Sequence, residues 1–205
     1  MSDTSNLYPV FEHQKVSRQD RENHLNQHSR IIWLCGLSGS GKSTLALALE
    51  KKLFDLGFHP YVLDCDNIRT GLNNNLGFTD DDRTENIRRI AEVARLFAHA
   101  GVIPITSFIC PLESQRKLAR KIIGNENFLE VYVDCPFEIC EERDVKGLYA
   151  KARAGQVANF TGRSSAFEAP HSPDLHLKTH EETPDESLRK LVNFVLPHIS
   201  LKKSD

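Results

Sequence analysis

The run Gly36-Leu37-Ser38-Gly39-Ser40-Gly41-Lys42-Ser43 is a G-x-x-x-x-G-K-[ST] loop. Its glycines let the backbone turn tightly enough for successive N–H groups to converge on one phosphate, and a helix starting at its end adds the positive end of a dipole. Lys42 then reaches the outer phosphates and the Ser43 hydroxyl is placed to ligate magnesium, with Gly36, Ser38, Gly39, Ser40, Gly41 and Thr44 completing a cradle for the donor nucleotide. A Gly/Ser turn with a chance lysine is the bland alternative. Against it stands the order of elements: the apolar run Ile31-Ile32-Trp33-Leu34-Cys35 comes directly before the loop, and a helical pattern from Thr44 to Leu56 directly after.

A second constellation, Asp64-Cys65-Asp66-Asn67-Ile68-Arg69, gathers two carboxylates, an amide and a guanidinium at the end of the next apolar run. A carboxylate beside a hydroxyl can orient it and accept its proton, while in phosphoryl transfer most of the rate comes from positioning and charge stabilisation. Either aspartate could instead cap the following helix; Asp64 and Asp66 are both carried as candidates, at least one of them chemical. Arg83 and Asn86 share a helix face with Ile87 and Ile90 and so look inward, where the arginine either pairs with a core carboxylate or binds a phosphate-like group. Arg88, Arg89, Glu92 and Arg95 read as a solvated face.

The elements that must position these residues alternate. After the first helix, which stops at Gly57, come a strand over Tyr61 to Asp64, a helix from near Thr79 to Gly101, and a strand over Val102 to Ile109. A helix over Leu112 to Ile123, a strand over Leu129 to Val133 and a short helix after Pro136 follow. Residues 146–174 hold no sustained period and read as a long mobile lid loop, before a last strand near Leu175 to Thr179 and a helix from about Pro184 to Ile199. Such alternation predicts an α/β fold: a mostly parallel five-stranded sheet with helices on both faces and ligands at the carboxyl ends of the strands. The expected division is a polar N-terminal arm (1–29), one phosphate-loop domain (30–200) and a short tail (201–205).

At 205 residues with a formal charge of −2, the chain suits one domain and has no overall basic field to hold a nucleic-acid polymer. Five cysteines without a C-x-x-C pair argue against a disulfide framework or a zinc site, and point to reduced thiols in the cytoplasm. No membrane partner is expected, because neither a secretory leader nor a spanning segment is apparent.

Taken together, these residues resemble the adenylylsulfate (APS) kinase family. The resemblance runs from Val16-Ser17-Arg18-Gln19-Asp20-Arg21 through the phosphate loop, Asp66-Asn67-Ile68-Arg69, Leu76-Gly77-Phe78, Asp82-Arg83 and Glu85-Asn86-Ile87-Arg88-Arg89. It continues with Asp144-Val145-Lys146-Gly147-Leu148-Tyr149, Lys151-Ala152-Arg153-Ala154-Gly155 and Asn159-Phe160-Thr161-Gly162. It implies a P-loop nucleotide-kinase fold and ATP-dependent, magnesium-assisted phosphorylation of the 3′-hydroxyl of adenosine 5′-phosphosulfate in sulfate assimilation. It places Asp66 near the acceptor hydroxyl, Arg69, Arg83 and Asn86 on the phosphosulfate, and Phe78 and Phe160 on either face of the acceptor adenine. Lys146, Ile109, Cys110, Asn159 and Thr161 join the acceptor site, Arg143 the ATP site, and Arg153 flanks the lid. It also implies a possible homodimer and sulfate adenylyltransferase as a functional partner.

The chain departs from the family pattern at Cys65 (usually Gly), at Cys110 (usually Ser) and at Arg163-Ser164 (commonly Ile-Asp). A thiol at 110 disfavours a phosphoserine intermediate and favours direct in-line transfer. The lid change leaves open the same transfer to another small nucleotide conjugate, and a non-catalytic nucleotide-binding regulatory subunit is the alternative of a different class. Cys35, Cys65, Cys110 and Cys135 fall at strand ends, either as small buried residues or as a redox-sensitive ring around the crevice.

Overall fold

A computed structural model of the chain describes residues 15–156, 160–162 and 165–201. Five strands, β1 (Ile31–Cys35), β2 (Pro60–Asp64), β3 (Ile103–Ser107), β4 (Phe128–Asp134) and β5 (Leu175–Lys178), form one sheet in the order β2-β3-β1-β4-β5. Every pairing is parallel, with Leu34 registered on Ser107 and on Val131. The central strand β1 is buried throughout because its alternate side chains enter two cores. Ile32 and Leu34 pack with Leu45, Leu49 and Leu53 of α2 (Lys42–Asp55) and with Leu191 and Val195 of α8 (Pro184–Ile199). Ile31, Trp33 and Cys35 face Ile87, Ile90 and Ala94 of α4 (Asp80–His99) and Ala119 of α5 (Glu113–Ile123) on the other side.

Local chemistry sets the element ends. Thr79 caps α4, its hydroxyl accepting from the Asp82 N–H, and three aspartates in the first turn complement the dipole. Gly57 ends α2 at φ +87°, as its position after the last apolar residue predicts.

Three helices differ from the sequence reading. The polar arm contains α1 (Arg18–His24), started by a capping box between Ser17 and Asp20. Its Glu22 is buried with ligands from the Ser29 N–H and Arg18. A six-residue α3 (Cys65–Thr70) follows β2 directly. The segment expected as a lid loop holds α7 (Leu148–Arg153) after α6 (Phe137–Arg143), and Tyr149 and Phe160 join Cys135 and Cys140 in a small third core. Asn159, Arg163 and Ser164 lie outside the described residues.

Candidate active site

The phosphate loop links β1 to α2 as expected. A Cβ at Gly36 would lie 2.3 Å from the Val133 carbonyl oxygen, and Gly39, at φ +78°, would press one to 2.9 Å from the Cys140 carbonyl, so neither position accepts a side chain. The loop is braced from three sides. Thr179 donates to the Ser40 carbonyl (2.8 Å), the Tyr149 hydroxyl donates to that of Ser38 (2.7 Å), and Arg143 reaches Thr179 O (2.8 Å) and Gly39 O (3.4 Å).

Lys42 is buried, and its Nζ donates to the Leu37 carbonyl at 2.6 Å. Desolvation lowers its ammonium from 10.5 to about 8, so the side chain waits for a negative ligand. Ser43 Oγ stands 3.1 Å from Asp64 Oδ2 and 3.2 Å from Ser107 Oγ. These are hard oxygens gathered from the loop and the ends of β2 and β3, a donor set that fits magnesium bound through few protein oxygens and phosphate. Thr44 begins the exposed side of α2 beside them.

Asp64 caps the following helix and also faces the phosphate loop. Its Oδ1 accepts from the Asp66 N–H (3.0 Å) as the cap of α3, while Oδ2 receives the Ser43 hydroxyl. Asp66, by contrast, is exposed and pairs with Lys146 at 2.5 Å.

Two cavities meet here. One is lined by the phosphate loop, Lys42, Ser43, Asp64 and Lys146; the other by Arg69, Phe78, Arg83, Asn86, Ile109, Cys110, Phe160 and Thr161. Asp66, Cys65, Ser38, Ile109 and Leu148 line both. The second cavity is basic: burial lowers the pKa of the Arg83 guanidinium, against Asp80 and reinforced by the neighbouring Arg69 charge, a pairing of cations that an anion would relieve. Arg83 donates to Thr161 Oγ1 (2.6 Å) and to Phe78 O (3.1 Å), while the Arg69 guanidinium lies 4.5 Å above the Phe78 ring. Phe160 is buried, edge-on to Tyr149 with centroids 4.8 Å apart. Arg153 instead pairs with Glu141 at 2.9 Å.

Cys110 sits at φ +43°, a left-handed conformation rare for a residue with a side chain, and buried Arg116 donates to its carbonyl (3.0 Å). Burial raises the Cys35, Cys65 and Cys110 thiols, Cys110 to about 12, so three of the strand-end cysteines lack the thiolate activation that a redox-sensitive ring would need. Sequence reasoning missed Ser107, Arg116, Tyr149 and Thr179 as parts of the site. Ser107 and Thr179 carried a signal as polar residues at or near the carboxyl ends of predicted strands, and Tyr149 as part of a quoted motif. Arg89, read as solvated, reaches Asn75 and the Leu72 carbonyl in the turn after α3.

A parallel sheet with a phosphate cradle at its carboxyl edge, opening through a shared carboxylate onto a second basic cavity, defines a P-loop nucleotide kinase. Residues 28–178 match the family described as adenylylsulphate kinase. The chain is 52% identical over 202 residues to the adenylyl-sulfate kinase of Bacteroides thetaiotaomicron, covering 98% of this chain and all of that one. The relative of the same name from Clostridium acetobutylicum is 48% identical over 198 residues, 97% of this chain and 98% of that one. Among solved structures, the Mycobacterium tuberculosis APS kinase CysC in complex with AMPPNP and APS superposes with a TM-score of 0.79 at 45% identity, covering 82% of this chain and 98% of that one. The chain belongs to the adenylylsulfate kinase family.

Proposed function

We propose that this chain transfers the γ-phosphoryl group of ATP to the 3′-hydroxyl of adenosine 5′-phosphosulfate, giving 3′-phosphoadenylyl sulfate and ADP. The observation that carries the reading is Asp66, which lines both the cavity of Lys42 and that of Arg69, Arg83 and Asn86. A carboxylate at that junction can face a sugar hydroxyl on one side and a terminal phosphate on the other.

In this reading the loop N–H groups and Lys42 hold the triphosphate, and Arg143 borders the donor base. Arg69, Arg83 and Asn86 bind the phosphosulfate, with Phe78 and Phe160 supplying apolar faces to adenine. Thr161 and the Ile109-Cys110 backbone shape the same cavity, to which we also assign Asn159. Asp66 accepts the 3′-hydroxyl proton as the oxygen bonds to γ-phosphorus. The bond from γ-phosphorus to the bridging oxygen breaks, ADP departs, and Lys42 opposes the charge that develops. Magnesium would be held by Ser43 and Asp64 with phosphate oxygens, neutralising the charge of the triphosphate tail.

We place residues 30–200 as the catalytic unit in the cytoplasm, with a homodimer as its working form and sulfate adenylyltransferase as the enzyme that supplies its acceptor. No helix among the described residues is long and apolar enough to cross a membrane. Coupled measurement of ADP release tests the reaction. Turnover with adenylylsulfate is expected; ATP binding without turnover, or turnover only with other nucleotides, contradicts it.

A further inference from the structure

From Asn86 a line of hydrogen-bonded side chains leads away from the acceptor cavity to residues that the proposed reaction does not use. Asn73, in the turn after α3, is fully buried, and its Nδ2 donates to Asn86 Oδ1 at 2.9 Å. On its other side Arg89 Nη1 approaches Asn73 Oδ1 at 3.5 Å. Arg89 is itself fixed by Glu85 Oε1 (2.8 Å), Asn75 Oδ1 (2.9 Å) and the Leu72 carbonyl (3.2 Å).

A guanidinium can only donate, whereas an amide has a donating end and an accepting end. Arg89 therefore takes the oxygen end of Asn73. The nitrogen end of Asn73 is left to face Asn86, which must answer with its oxygen. Asn86 Nδ2 has no hydrogen-bond partner among the described residues, and Asn86 lines the cavity shared by Arg69 and Arg83. The order of donors and acceptors in Arg89, Asn73 and Asn86 thus settles which end of the last amide is free.

We propose that Asn73, oriented by Arg89, is a positioning residue for acceptor recognition: it holds the Asn86 amide with its N–H₂ end free for the anionic group of the acceptor. The proposal rests on the reading of this cavity as the adenylylsulfate site. A reversed Asn86 would present a carbonyl oxygen to an anion, losing a charge-assisted hydrogen bond and adding a repulsion. Selectivity for an anionic acceptor is then written partly in a residue that never touches it.

Asn73→Asp tests this with little change of shape. Beside Arg89 the new carboxylate stays ionised and only accepts, so Asn86 must turn its nitrogen end inward. The Michaelis constant for adenylylsulfate is expected to rise about tenfold or more, with that for ATP within about twofold. Thermal stability should hold, because the contact with Arg89 gains charge; a purely structural Asn73 predicts no such split between substrates. Should Asn73→Asp fail to fold, Arg89→Met carries the test: freed from its donor-only anchor, Asn73 can turn over, and the acceptor constant should rise about threefold. Asn86→Ala separates the two levels. If it weakens adenylylsulfate while Asn73→Asp and Arg89→Met leave acceptor binding unchanged, the positioning role falls and the cavity assignment stands. If Asn86→Ala is also silent, both fall.

Discussion

Lys146 Nζ lies 2.5 Å from Asp66 Oδ2, joining the segment before α7 to the first turn of α3 across 80 positions of sequence. Both side chains are substantially exposed, so the pair contributes little to stability. Its place where the two cavities meet gives it another consequence: Lys146 fixes the orientation of the Asp66 carboxylate there. Asp66→Asn is expected to lower kcat by about two orders of magnitude while ATP affinity stays within about threefold, since the amide cannot accept the proton. Lys146→Met should lower kcat less and raise the acceptor KM. Collapse of ATP binding in Asp66→Asn would make Asp66 a donor-site or metal residue instead.

Lys42 illustrates the tension between function and stability. Its ammonium is moved by burial from 10.5 to about 8, so between those values the unfolded chain binds a proton that the folded chain does not. Stability consequently rises with pH through that window, and the full penalty is present below about 8. Lys42→Met should stabilise the nucleotide-free protein at pH 7 by about 1–2 kcal/mol, after allowing for the Leu37 carbonyl left without its donor. The gain should fade as pH approaches 10, and stabilisation by ATP should vanish. Turnover should drop far more than about tenfold. A variant less stable than the parent at pH 7 would show that the Leu37 contact outweighs the desolvation of the charge.

How much of this was legible in the sequence follows from the range of each interaction. The β-α order and the phosphate loop were readable because apolar period and glycine spacing are local signals. Asp66, Arg69, Arg83 and Asn86 fell together as predicted, since strand ends and a single helix face determine where they go. The helices α1, α3 and α7 were not seen. The last two have six residues each, too few to establish a period, and the buried position of α1 is a carboxylate, Glu22, which reads as surface. Asn73 was invisible for another reason: a side-chain hydrogen bond between a turn and a helix 13 positions away leaves no pattern in the chain.

Phe78 and Phe160 were paired by resemblance, yet their settings differ and so should their variants. Phe78 is 55% exposed and rests on Arg69, whereas Phe160 is 8% exposed and packs with Cys135, Cys140 and Tyr149. Phe78→Ala should leave the melting temperature almost unchanged and raise the acceptor KM by about tenfold, the value of one aromatic face on a base. Phe160→Ala should raise the KM similarly and also destabilise by about 2–4 kcal/mol through the cavity it opens. Equal stability losses in the two would contradict this division of roles.

Gln27 provides a test away from the cavities. It is fully buried between α1 and the sheet, its Nε2 donating to the Gly101 carbonyl (2.7 Å) and its Oε1 accepting from the His59 N–H (2.8 Å). One amide thus satisfies the backbone just before β2 and just before β3, and ties α1 to both. Gln27→Leu keeps most of the volume and strands both backbone groups, each costing about 1–3 kcal/mol when left buried without a partner. For a protein of this size that corresponds to a melting temperature lower by roughly 4–24 °C. Because the amide touches neither cavity, kcat and both Michaelis constants at 25 °C should match those of the parent. A melting temperature within about 2 °C of the parent would mean that water or a shift of α1 repairs both bonds, and that the clasp contributes nothing to holding the sheet edge.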